Sequence, residues 1–327
     1  MQNREIYGFF LLYSETFRGK QILEVRLLSI YNRYHNERNK LQTEGIYMKE
    51  IFCQAITDEI RDMCIQATHF LSKDMEDALS SASKTEQSAV GKQVLNQLKE
   101  NLKIAGEEMI PICQDTGMAV IFVEMGQEIH IQGGSLEDAI NEGVRQGYTE
   151  GYLRKSIVKD PIYRENTKDN TPAVIHYTIV PGDKLKITLA PKGFGSENMS
   201  RIFMLKPADG IEGVKKAIME TVDAAGPNAC PPLVVGVGIG GDFEKCALMA
   251  KHALTRETGV SSTIPYVAEL EREMLDKINK LGIGPGGLGG TVTALAVHIE
   301  TYPTHIAGLP VAINICCHVN RHISREL

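Results

Sequence analysis

No stretch of this 327-residue chain is apolar for long enough to span a bilayer, and no signal-peptide pattern leads it. It has no tryptophan, and aromatics make up 6% of the residues. Basic residues form no stripe with interleaved aromatics, and the net charge is −6 with a pI near 5.9. These features exclude nucleic acid and membrane as default partners. Neither Cys113 nor Cys230 has a second ligand at C-x-x-C or H-x-x-x-H spacing. The cysteines number seven, an odd count, so a disulfide framework does not fit. Free thiols without a leader point to the cytoplasm. Internal repeats and low-complexity linkers are also missing. The chain is 23% charged and 43% apolar, an ordinary composition for a globular enzyme of one large domain or two modest ones.

The first 47 residues contain no Asp, Ala, Pro or Cys, yet hold five of the eleven tyrosines and three of the nine phenylalanines. Their apolar residues follow neither a helical nor a strand period. This segment reads as an N-terminal extension outside the fold, with residues 48–327 as the folded domain. A further expectation is that Met48 is the true start, since Glu44-Gly45 can be encoded by a purine-rich stretch. Intact mass of the native protein tests this, and a mass that includes Met1 or Gln2 ends the idea.

What the chain does have is three cysteines in polar or Pro/Gly-punctuated turns: Cys113 in Ile-Cys-Gln-Asp-Thr-Gly, Cys230 in Asn-Ala-Cys-Pro-Pro, and Cys317 in Cys-Cys-His-Val-Asn-Arg-His. A structural cysteine usually lies inside an apolar periodic run and packs as a small hydrophobe. Cys53, Cys64 and Cys246 fit that description. Three dispersed thiolates at loop edges suit a metal cluster with one coordination position left open. Zinc is a competitor, because Cys317, His318 and His322 lie close together, but structural zinc ligands usually come in closely spaced pairs.

Hydrophobic periodicity predicts helices over 49–68, about 86–105, 211–225, 243–254 and 265–281. Ser135, with Asp138 three residues on, reads as the capped start of another helix. Strands are expected over 118–124, 128–132, 173–180, 184–190, 232–237, 292–299 and 311–315, with Pro181-Gly182-Asp183 joining two of them as a hairpin. Interleaved elements of this kind predict mixed α/β (α+β) architecture, with partly antiparallel sheets surrounded by helices.

Two glycine-rich segments invite a nucleotide reading. Gly236-Val-Gly238-Ile-Gly-Gly241 matches G-x-G-x-x-G between a strand and a helix, the best case for a dehydrogenase. The returning strand with its terminal acid does not follow: residues 255–263 are polar and turn-prone. Gly284-Pro-Gly-Gly-Leu-Gly-Gly290 follows a helix and lacks the P-loop lysine. Both segments are expected to be close backbone approaches, where amides face an anion or a cluster.

Taken in order, Cys113-Gln-Asp-Thr-Gly117, Lys192-Gly-Phe-Gly-Ser-Glu-Asn198, Cys230-Pro-Pro, Gly238-Ile-Gly-Gly241, Gly282 to Gly290 and Cys317-His-Val-Asn-Arg-His322 strongly resemble the alpha subunit of class I, iron-sulfur-dependent fumarate hydratases and the related L(+)-tartrate dehydratases. The resemblance runs from about residue 48 to the C-terminus. It implies a 4Fe–4S cluster held by Cys113, Cys230 and Cys317, its fourth iron acting as a Lewis acid on the hydroxyl of a small dicarboxylate. Cys316, the neighbour of Cys317, is expected to point to the opposite face and pack. One-chain members of the family carry a further C-terminal domain. The chain is therefore expected to be the split form, working with a separate beta subunit as a heterotetramer and inactive alone.

The same resemblance assigns supporting roles. Asp115 would orient a proton-transfer group, although a turn aspartate bonding its own backbone is the plainer reading. Gln114 and Arg154 would contact substrate carboxylates, and Gly193, Gly195 and Ser196 would offer further donors. His305 matches an active-site histidine of the family. The expected reaction is hydration of fumarate to (S)-malate, with tartrate dehydration to oxaloacetate as the nearest alternative. An NAD-binding dehydrogenase and a non-catalytic iron-sulfur protein are the remote ones.

Overall fold

A computed structural model describes residues 48–327. The two expectations about residues 1–47, an extension outside the fold and a start at Met48, lie outside the described residues. Two four-stranded sheets form the frame. The first runs β10 (Ile323–Glu326), β5 (Leu185–Lys192), β2 (Met118–Gly126), β4 (Val174–Val180); the second runs β6 (Arg201–Leu205), β9 (Leu309–Cys316), β7 (Leu233–Gly241), β8 (Ala294–Thr304). A short ribbon pairs β1 (Lys49–Phe52) with β3 (Ile129–Gln132). Both sheets are mixed. β2 pairs parallel to β4 and antiparallel to β5, while β7 pairs parallel to β8 and antiparallel to β9. The mixed α/β class with partly antiparallel sheets is what the periodicity predicted.

Helices α1 (Cys53–His69) and α4 (Leu136–Glu150) cover the first sheet. Ile56, Ile60 and Met63 of α1 join Ile140 and Val144 of α4 over Ile121, Ile187 and Leu189 in one buried cluster. Ser135 caps α4 as expected, its hydroxyl accepting the Asp138 N–H at 3.3 Å. On the second sheet, α6 (Gly210–Ala225) and α8 (Pro265–Asn279) pack Ile218, Val222, Met274 and Ile278 against Val235, Val237 and Ile313. Helix α7 (Phe243–Ala253) packs on the other face, where Cys246, Met249 and Ala250 meet Ala312. A third cluster joins α2 (Lys73–Thr85) and α3 (Ala89–Glu108) to Val234, Ala296 and Cys316. Side chains along β7 thus alternate between the two faces, as a pleated strand requires. Among the described residues, no helix is long and apolar enough to cross a membrane.

Three local expectations are corrected. The helix expected from residue 49 starts at Cys53, because residues 49–52 extend to pair with β3. Strands β4 and β5 do not form a hairpin, since β2 lies between them. Their link, Pro181-Gly182-Asp183, instead crosses the end of β2, with Gln127 N–H donating to the Val180 carbonyl at 2.8 Å and Glu128 N–H to that of Gly182 at 3.0 Å. Residues 238–241, expected as a glycine-rich turn after a strand ending at 237, instead continue β7 to Gly241. Local chemistry favoured a tight turn in both places, whereas the pairing partner, distant in sequence, decided the outcome. Helix α2 and strands β6 and β10 have no counterpart among the sequence expectations.

Candidate active site

Three loops carry the cysteines, and each is fastened from more than one side. Ile112 N–H donates to the Thr68 carbonyl at the end of α1 (3.0 Å), and the Asn101 side chain of α3 donates to the Ile112 carbonyl (2.9 Å). Below the same loop, the buried Tyr148 hydroxyl points at the carbonyls of Thr116 and Gly117, 3.1 and 2.9 Å away. Within it, the Asp115 N–H donates to Cys113 Sγ at 3.4 Å, and that sulfur lies 3.2 Å from Gln114 Oε1.

Cys230 follows a short turn and precedes β7. Its φ of +55° is left-handed, which a residue with a Cβ adopts only under constraint. The constraint comes from three contacts: Cys230 N–H to the Pro227 carbonyl (3.1 Å), Gly286 N–H to the Pro231 carbonyl (2.8 Å), and His318 N–H to the Cys230 carbonyl (3.4 Å). Cys317 lies one residue past β9. Because Cys316 is the register partner of Val234, the end of β9 meets the start of β7, and Cys230 and Cys317 come together there.

Electrostatics reports the same convergence. Partial burial raises the Cys230 thiol, and the neighbouring thiols Cys317 and Cys113 raise it further. β9 ends at Cys316, which is buried, whereas Cys317 lies just beyond the strand and is half-buried. The adjacent Cys317 thiol draws Cys316 down to about 6, assisted by Lys192 and Arg321, while Cys317 is raised by its Cys316 neighbour and by burial. Cys316 itself is buried in the cluster below α2 and α3, which agrees with its reading as packing.

The donor set suits an iron-sulfur cluster. Three thiols on three braced loops converge, next to a guanidinium, Arg321, that has two unpartnered nitrogens. Among the described residues no three His, Cys, Asp or Glu side chains gather tightly enough to ligate one ion. A cluster asks for less convergence, because each thiolate ends on its own iron.

Around these thiols the structure gathers most of the expected substrate contacts. Gln114 and Arg154 are exposed. Arg154 is held beside the Cys113 loop by its backbone: its N–H donates to Thr116 Oγ1 at 3.0 Å, and that hydroxyl lies 3.3 Å from the Arg154 carbonyl. Asp115 uses both carboxylate oxygens on backbone, accepting Gly117 N–H at 3.1 Å and Phe194 N–H at 2.9 Å, so it is both a turn aspartate and a clamp on the neighbouring loop. Gly193 packs so closely that an added Cβ would lie 3.0 Å from Asp115 Oδ2, whereas Gly195 is open. Ser196 is 4% exposed, and its hydroxyl accepts from Lys192 Nζ at 2.9 Å. His305 is not brought to this group. It lies beyond the far end of β9, which spans eight residues, about 23 Å at 3.3 Å per residue. There it borders an apolar groove of about 410 Å³.

The sequence reading overlooked three residues of this neighbourhood: Lys192, Thr116 and Arg321. Lys192, 5% exposed, ion-pairs with Glu197 at 3.3 Å, and Glu197 also pairs with Lys251. Burial alone would raise the Glu197 carboxyl, but the two lysines hold it below the usual range. Lys192 and Arg321 both stand inside recognised motifs, and that position was the available signal.

The first glycine segment offers no dinucleotide site. The Asp242 carboxylate already caps α7, accepting the Lys245 N–H at 2.9 Å where a pyrophosphate would bind.

The family model described as "Fumarate hydratase (Fumerase)" matches residues 57–326. A Methanocaldococcus jannaschii protein, provisionally named L(+)-tartrate dehydratase subunit alpha, is 41% identical over 83% of this chain and 97% of its own length. L(+)-tartrate dehydratase alpha subunits of Escherichia coli and Shigella sonnei are 32% and 31% identical, each over 81% of this chain and 88% of their own. With its motifs, fold and these matches in agreement, the chain belongs to the fumarate hydratase family and is a hydro-lyase.

Proposed function

We propose that the chain is the alpha subunit of a 4Fe–4S hydro-lyase that interconverts fumarate and (S)-malate, with Cys113, Cys230 and Cys317 as the cluster ligands. The observation that carries this reading is the convergence of those three thiols from separate, braced loops. When bound, such a cluster supplies a Lewis acid for the departure of a poor leaving group, the hydroxyl oxygen.

The chain's own residues would bind and orient the diacid. Arg154, exposed and without an ion pair among the described residues, offers a planar fork to one carboxylate. Gln114 offers its amide to a carboxylate oxygen. Gly195 lets its backbone be approached closely, as no atom lies within 4 Å of where a Cβ would stand. Asp115 holds the Gly193 turn against the Cys113 loop through the Phe194 N–H, fixing the donors relative to the thiols. His305 acts only if a further chain brings it to this site. A beta subunit, in a heterotetramer, would complete the pocket; the relatives' names carry the word subunit.

Tartrate dehydration is a second reading, favoured by the names of the relatives at 31–41% identity. The chain is to be co-expressed with its beta partner and assayed anaerobically on fumarate and on L(+)-tartrate. Turnover of fumarate at the higher kcat/KM supports the first reading, and preference for tartrate replaces it with the second. Turnover of neither while the cluster is intact defeats both.

A further inference from the structure

Arg321 is 4% exposed, and its side chain is a guanidinium cation with five N–H donors and no acceptor. Its Nη2 donates to the Asp115 carbonyl at 2.8 Å, tying the Cys317 loop to the Cys113 loop. Its Nε and Nη1 are shielded from solvent and have no hydrogen-bond partner among the described residues. No carboxylate among those residues pairs with it. The Asp115 side chain, the nearest acid, spends its two oxygens on Gly117 and Phe194.

Lys192 provides the contrast. It is equally buried and close to Cys316, but it faces a carboxylate, that of Glu197, which it shares with Lys251. A buried cation without a counter-charge costs several kcal/mol, so it persists only where something anionic repays it.

We propose that Arg321 is a positioning residue whose counter-charge is the loaded metal centre: it clamps two ligand loops together and places a fixed positive charge beside the thiolates. A cluster with three thiolate ligands is net negative, so loading neutralises the orphaned guanidinium. The charge in turn makes the cluster easier to reduce, since potentials follow local charge. The inference rests on the cluster reading above.

The test uses the full chain, reconstituted anaerobically with ferrous iron and sulfide, in three forms: wild type, Arg321→Gln and Arg321→Lys. Glutamine can keep a hydrogen bond to the Asp115 carbonyl without the charge, and lysine keeps the charge. Two quantities are read: the reduced fraction in a potential titration followed by electron paramagnetic resonance, and the rate of iron loss to a chelator.

Arg321→Gln is expected to lower the reduced-to-oxidised ratio about tenfold at fixed potential, a fall of about 59 mV for one electron. Iron loss should rise about tenfold. Arg321→Lys should stay within about threefold of wild type on both. Unchanged values in Arg321→Gln would overturn the proposal, as would a lysine variant as impaired as the glutamine one. If Arg321→Gln does not fold, the lysine variant alone decides by the same threefold criterion. Failure of the wild-type chain to take up iron would strike the cluster reading itself, a separate result.

Discussion

The two glycine-rich segments look alike in sequence and do different work. In β7, Gly236 and Gly238 let α7 lie directly on the strand: a Cβ on Gly236 would stand 2.1 Å from the Ala250 carbonyl oxygen, and one on Gly238 2.0 Å from that of Cys246. No ligand is needed to explain them. The segment 284–290 is a loop wrapped around an acid. The Glu86 carboxylate accepts the N–H groups of Thr291 and Val292 at 2.9 and 2.8 Å, and that of Ser88 at 2.8 Å. The same loop presses on the Cys230 turn, through Gly286 N–H and through Gly287, whose added Cβ would meet Pro227 Cβ at 2.2 Å. One segment is a packing surface and the other a brace for a candidate ligand. Glycine repetition reports close approach, and only the neighbours say what is approached.

The largest effect that would break this comparison comes from the packing surface. Gly238→Ala drives a methyl into backbone, which cannot move aside, so helix and strand must separate. The expected loss is about 3 kcal/mol or more in denaturant unfolding, at the upper end for overpacking. A fully stable Gly238→Ala chain would mean that α7 does not bear on β7 this closely.

Acid separates the two segments next. His298, the register partner of Gly236, is buried and held neutral; burial first, and Arg256 second, push it down to about 4. The unfolded chain takes up that proton near 6.5, so the stability from neutral His298 is complete above about pH 6.5 and fades as pH falls toward 4, by about 3 kcal/mol at most. Glu86 behaves in the opposite sense. Burial would raise it, but the backbone N–H groups of Thr291, Ser88 and Val292 hold it below the usual carboxylate range. Its contribution is present above the unfolded value near 4.3 and is lost only below that. Unfolding free energy against pH should therefore decline first through the histidine window, to which His176 and His322, also lowered by burial, contribute, and His298→Gln should remove the His298 share of that slope.

Glu86→Gln tests the brace at neutral pH. An amide replaces one accepting oxygen with a donor that faces backbone N–H groups, for a loss of about 2 kcal/mol. The loosened loop should also release the Cys230 turn, so iodoacetamide should label Cys230 several-fold faster in the metal-free chain. Loss of stability with unchanged labelling would leave Glu86 as a latch unrelated to the cysteine.

Legibility followed the range of the interactions. Helices such as α6 and α8 were readable because one face repeats every three or four residues, and the Ser135 cap because its partner is three residues away. The cysteines stood out because their settings are wrong for a core. The order β10-β5-β2-β4 was not readable, since β10 joins β5 across more than 130 residues of chain. Nor was the role of Glu86, whose partners Thr291 and Val292 are more than 200 residues on. The Ser196 contact was unreadable for a nearer reason: its partner Lys192 is four residues away, but whether the hydroxyl meets that lysine depends on which side of the short helix α5 (Phe194–Glu197) is buried.

The smallest expected effect sharpens the contrast by adding a third glycine setting. Gly195 lies in α5 with no atom within 4 Å of a would-be Cβ and no positive φ, so neither packing nor backbone requires glycine there. Alanine should be neutral or stabilising by about 0.5 kcal/mol, as it is in helices generally. Whatever Gly195 is needed for must then come from outside the described residues. If the diacid approaches this backbone, Gly195→Ala raises KM several-fold in the co-expressed enzyme while thermal unfolding of the chain stays in place. Unchanged KM would return the position to an ordinary turn residue and leave Arg154 and Gln114 as the carboxylate contacts to test. Gly193→Ala is the control, since its Cβ would press on Asp115 Oδ2 at 3.0 Å and so disturb structure and site together.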